Sequence, residues 1–166
     1  MSITAQAQTR SPLRVAMEAR DVPAIVDAFS SDATFHSPLT EKLTFKGREQ
    51  IAAVVSVVLE VFDDFHYTEE LLGPSAGFLV ARAHVDGLEI EIVDHMRFGT
   101  DGRIEDFTVF FRPLPAAAAA LRRIGAALAG RKSPARAAII RALAGPLAYM
   151  SRVGDGIGVR LLRGTL

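Results

Sequence analysis

Asp94 is the residue whose setting most invites chemistry in this 166-residue sequence. If Asp86-Gly87 is the two-residue turn of a hairpin, Val85 faces Leu88. The register then runs through His84–Glu89, Ala83–Ile90, Arg82–Glu91 and Ala81–Ile92 to Leu79–Asp94. One face carries Leu79, Ala81, Ala83, Val85, Leu88, Ile90 and Ile92, and the two charged pairs on the other face favour the same register. Asp94 falls on the apolar face. A buried carboxylate is costly unless it keeps its proton or finds a partner. Asp94 is therefore a candidate pocket acid or hydrogen-bond donor; the competing role is a structural Asp tied to backbone or another polar group. His36 brings an imidazole whose unperturbed pKa suits a general base, although strand alternation sends it and Ser37 to opposite faces. Tyr67 is a candidate pocket hydroxyl, with strand packing as its competing role.

Other chemistries find no support. The histidines (His36, His66, His84 and His95) show neither HxxxH nor HxH spacing, and the hairpin turns His84 and His95 outward, so no metal site is expected. With no Cys there is no thiolate ligand, no Cys nucleophile and no disulfide. Neither GxxxxGK[ST] nor GxGxxG occurs, and the glycine-rich run Gly154–Gly158 reads as a flexible turn. No cofactor is expected.

The elements that must position these residues follow from period and punctuation. Residues 1–10 form a polar arm. Ser11-Pro12 starts a helix over Leu13–Arg20, and Asp21 caps a second one with Pro23 in its first turn. Residues 33–37 are short and extended, and 39–46 form a loop. Gly47 opens a long helix over 48–62 with Ile51, Val54, Val55, Val58, Leu59 and Phe62 at helical spacing. Strands are predicted at 65–72, 77–85, 88–98 and 104–112, with Asp86-Gly87 and Asp101-Gly102 in tight turns. Helices first and an antiparallel sheet afterwards indicate an α+β fold of order α-α-β-α-β-β-β-β.

At 49% hydrophobic and 23% charged residues the chain has an ordinary globular composition, which excludes a disordered polymer. No stretch reaches the ~18 apolar residues of a membrane span, and the N-terminus lacks the apolar core of a secretory signal, so a cytoplasmic protein is expected. The formal net charge of zero conceals two segments. Residues 1–112 hold 18 acids and ten bases, a net −8, whereas 113–166 hold nine bases and Asp155 alone, a net +8. Such asymmetry marks an interacting tail.

The segments SSDATFHSPL and EIVDHMRFGTDGRIEDFTVFF, with GREQI between them, resemble ketosteroid isomerases and the wider SnoaL-like, nuclear transport factor 2-like superfamily. The resemblance covers about residues 11–112 and implies a curved sheet wrapped around the long helix, a cone with an apolar pocket. It places the protonated oxyanion-hole acid of the isomerases at Asp94, where a neutral carboxyl donates to a developing enolate. It places their general base at Ser37, which is no base at neutral pH, and their oxyanion-hole tyrosine at Leu13. Phe107, Val109 and Phe111 match pocket-lining positions, and Phe110 and Arg112 fall on the outer face that often meets a second subunit. The Arg/Asp/Asp set of related epoxide hydrolases is also broken, since Ile92 and Val109 flank Asp94 in that pattern. The resemblance sets a site and not a reaction.

Beyond Pro113 two helices are expected. One spans 116–129 with a narrow stripe of Leu121, Ile124 and Leu128; the other starts at Ser133-Pro134 and is kinked or broken at Gly145-Pro146. Packing on the acidic core or on a dimer mate, peripheral contact with anionic lipid, and nucleic-acid binding are their three possible uses; no recognisable motif supports the last. The sequence thus describes a polar arm (1–10), an α+β SnoaL-like domain (11–112) and a basic helical extension (113–166). The leading expectation is a homodimeric domain that binds a small apolar or polycyclic molecule through His36, Ser37, Tyr67, Asp94, Phe107, Val109 and Phe111, with Asp94 as acid in a proton transfer. The alternative is a non-catalytic dimerising module that works through its basic helices.

Overall fold

Two short capped helices open the chain. Ser11 Oγ accepts from the Arg14 N–H at 3.1 Å and starts α1 (Pro12–Glu18); Asp21 Oδ1 accepts from the Ala24 N–H at 3.1 Å and starts α2 (Val22–Asp27). The computed structural model describes residues 10–38 and 40–163, so the proposed arm lies almost entirely outside the described residues. Then follow β1 (Phe29–His36), β2 (Thr44–Lys46), α3 (Gly47–Val61), β3 (Asp63–Leu72), β4 (Ala76–Val85), β5 (Leu88–Phe98) and β6 (Ile104–Arg112). The segment expected to be a loop before α3 contains β2, three residues paired with β1 and too short to show a period of two. Gly47 takes φ +75°, and a Cβ there would stand 3.3 Å from the Ser31 carbonyl oxygen, so glycine suits this strand-to-helix corner.

The sheet order is β2-β1-β6-β5-β4-β3, all neighbours antiparallel except β1 and β6, which run parallel. The sheet curves about α3, whose Ile51, Val54, Val55, Val57 and Leu59 are buried against it. The β4–β5 hairpin has the register expected from its turn, Val85 opposite Leu88 through Leu79 opposite Asp94. Asp86 and Gly87 both take positive φ, as this turn requires. Arg82 bonds Glu89 at 2.7 Å across the hairpin, whereas His84 lies nearest Asp64 of β3, at 3.7 Å, and not its register partner Glu89.

The basic extension is docked. α4 (Leu114–Gly130) buries Ala116, Ala119, Ala120 and Ile124 against α3 and the sheet, and α5 (Pro134–Arg163) packs on α4 through small residues such as Ala137 and Ala144. Gly125 makes room for this contact, since a Cβ there would stand 3.1 Å from Ile140 Cγ2. Charge joins the two segments at defined points. Asp86 pairs with Arg122 and with Arg123 (3.3 Å), its carbonyl accepts from Arg152 (3.3 Å), and Arg131 pairs with Glu60 (3.5 Å). One expectation is narrowed here and another corrected. α5 continues through Gly145-Pro146 without the break that was one of the two outcomes expected there, and through Gly154–Gly158 where a flexible turn was expected. Pro146 sits on the exposed side, where water can satisfy the carbonyl it deprives, and extending an existing helix costs far less than starting one.

Candidate functional site

The concave side of the sheet, α3 and α4 enclose a cavity of about 120 Å³. It is smaller than the ~300–1,000 Å³ of drug-sized ligand sites and comparable to the roughly 150 Å³ apolar cavity known to admit benzene. That volume matches a single ring, within the small apolar or polycyclic ligands that the sequence led us to expect. The wall is aromatic and aliphatic. Phe107 meets Phe29 edge-on with ring centres 5.3 Å apart and lies 5.2 Å from Phe35; Phe62 meets Phe111 at 5.9 Å.

Alternation along β5 places Asp94 between buried Ile92 and Met96, on the face that lines the cavity. The residue is only 5% exposed. Desolvation pushes its pKa up from 3.8 to about 7, partly opposed by a hydrogen bond from Tyr67 that favours the ionised form. The Tyr67 hydroxyl donates to Asp94 Oδ2 at 2.8 Å. Burial, followed by the charge of Asp94, raises the tyrosine's own pKa well above its ordinary value, so it remains a donor at every physiological pH. Tyr67 comes from β3, two strands from Asp94. Its register partner Ala81 is small and fully buried, which leaves the ring room to lie across β4.

Ser37, Tyr67, Asp94, Phe107, Val109 and Phe111 all line the cavity. His36 does not. Neighbouring Phe35 and Ser37 face inward, so alternation sends the imidazole outward, where its Nε2 bonds Asp106 Oδ2 at 2.8 Å. His36 as a substrate-binding residue is therefore corrected. His95 also points away and stacks on Phe78 at 4.5 Å; His66 is exposed and bonded to the Asp64 carbonyl. Leu13 lies in the wall where the isomerase pattern has a tyrosine, so the phenol beside Asp94 is supplied by another element.

The sequence reading confined the site to residues 36–111, and it is larger. Leu121, Ile124 and Leu128 of α4 line the cavity. Their narrow apolar stripe was visible as a pattern, but nothing in it said what it would face. The extension is thus a wall of the site as well as a basic appendage.

The family model described as a SnoaL-like domain matches residues 13–107. A steroid delta-isomerase from Pseudomonas aeruginosa is 29% identical, with 72% of this chain and 85% of that chain covered and a TM-score of 0.62. A protein with a cystatin-like fold from Silicibacter pomeroyi is 26% identical, with 78% and 89% covered and a TM-score of 0.65. A SnoaL-like polyketide cyclase from Shewanella denitrificans shares the fold at 12% identity, with 61% and 85% covered and a TM-score of 0.51. None of the curated proteins matches this chain.

Proposed function

This chain belongs to the SnoaL-like family, and we propose that it binds a one-ring, mainly apolar molecule bearing a carbonyl oxygen, which Asp94 engages as a neutral acid. The observation that carries this reading is the Tyr67–Asp94 pair, 2.8 Å apart in the wall of an otherwise apolar cavity. Tyr67 occupies Oδ2, which directs Asp94 to meet the ligand through Oδ1. A protonated carboxyl there donates to a carbonyl, and the donation strengthens as negative charge develops on that oxygen. With a pKa near 7, Asp94 holds its proton below neutrality and is able to exchange it around neutrality. Polarisation of a bound carbonyl is the chemistry this geometry favours. A paired-base isomerisation is not proposed, because Ser37 stands where such a base belongs.

Cyclohexanone and cyclohexane test the reading, since they match in size and differ in the carbonyl. At pH 5.5 both should bind saturably, the ketone about five- to tenfold tighter, as one hydrogen bond of about 1 kcal/mol or slightly more requires. A protein that binds neither, or both equally, does not use Asp94 in this way.

A further inference from the structure

The outward face of α5 is apolar along most of its length. Ile139, Leu143, Leu147, Met150, Val153 and Ile157 follow one another in steps of three or four, which puts them on one side of a helix, and each is 43–73% exposed. The opposite side carries Ala137 and Ala144, buried against α4, so the stripe faces away from the domain. α5 has five arginines and one acid, a net +4. Among the described residues Lys132, Arg136, Arg141, Arg160 and Arg163 make no ion pair, whereas Arg122, Arg123 and Arg131 are spent on docking α4. By helical phase Arg136 and Arg160 lie beside the stripe, whereas Arg141 and Arg163 fall on the opposite half of the helix.

We propose that α5 is a membrane-docking helix that lies in the plane of an anionic phospholipid bilayer, with the stripe in the acyl boundary and Arg136 and Arg160 at the headgroups. Charge complementarity selects this occupant. A second copy seated on the same face would bring Arg136 and Arg160 of one helix against those of another, whereas an anionic leaflet attracts both these cations and the apolar stripe. Among the described residues no helix is long and apolar enough to cross a membrane, so the contact is peripheral. The inference does not depend on the reading of the cavity.

Co-sedimentation of the full chain with vesicles tests it, using phosphatidylcholine alone and phosphatidylcholine mixed with an equal part of phosphatidylglycerol. The mixed vesicles should bind at least about tenfold more protein, and 0.5 M salt should release most of it. The double variant Leu143→Glu/Met150→Glu changes side chains that are 73% and 69% exposed, so the fold should survive while binding falls about tenfold or more. Circular dichroism and the thermal unfolding midpoint check that survival. No binding to the mixed vesicles overturns the proposal, as does binding unchanged in the double variant. A wild-type dimer that the double variant dissociates also overturns it, because the stripe would then hold a second copy.

Discussion

The Tyr67 hydroxyl reaches across β4 to Asp94 Oδ2 at 2.8 Å, tying β3 to β5 over the small side chain of Ala81. It gives the cavity's one buried carboxyl among the described residues a fixed neighbour and a fixed orientation. The phenol of this pair comes from β3, whereas Leu13 of α1 offers none.

Removing that donor should leave Asp94 more reluctant to ionise. In Tyr67→Phe its pKa is expected to move further above 7, since the lost hydrogen bond favoured the carboxylate. The fold should survive, with a stability loss of about 1–3 kcal/mol at pH 8 that shrinks at pH 5, where the carboxyl is neutral. A carbon-13 titration of the Asp94 carboxyl reads the shift; a downward move would contradict the assignment.

Stability against pH gives a second check. The folded pKa of about 7 exceeds the ordinary carboxyl value of 3.8, so between pH 4 and 7 the native state binds more protons than the unfolded chain. The contribution of Asp94 is therefore greatest below pH 4 and declines as pH rises to 7, by about 4 kcal/mol. Asp94→Asn should remove this decline and keep the fold. In urea unfolding the variant should gain on the wild type steadily from pH 4 to 7. Parallel curves would show that the carboxyl titrates normally.

The α4 wall should set the size of ligand accepted. Leu121→Ala or Leu128→Ala removes three carbons from a partly buried part of the lining and enlarges the cavity. Each is expected to cost about 1–3 kcal/mol, below the ~2–5 kcal/mol of a fully buried Leu. Each should also shift preference from cyclohexanone toward a two-ring ketone such as decalone, in competition binding. An unchanged preference would place α4 outside the working site.

Much of this architecture is legible in the sequence because it rests on local rules. Asp86-Gly87 specifies its turn, the turn specifies the register, and the register places Asp94 among apolar neighbours before any fold is known. Tyr67 resists the same treatment. The β3–β4 pairing shifts between Tyr67 and Glu69 and again before His66, so counting alternate residues loses phase there. α4 is hidden for another reason: an Ala-rich helix with a three-residue stripe identifies a buried face but not its partner. Nor does local propensity reveal that α5 passes through Pro146 and four glycines, because an established helix continues where it would not have begun.

The most direct test of the account is the pH dependence of cyclohexanone affinity in the wild type and in Asp94→Asn. A carbonyl accepts from a neutral carboxyl and is repelled by an ionised one, so wild-type affinity should fall about tenfold between pH 5.5 and 8.5, with a midpoint near 7. None of the four histidines lines the cavity, and the variant should bind with no such midpoint. Wild-type affinity that is flat across this range, or the same profile in Asp94→Asn, would contradict the assignment of Asp94 as the acid that holds the ligand.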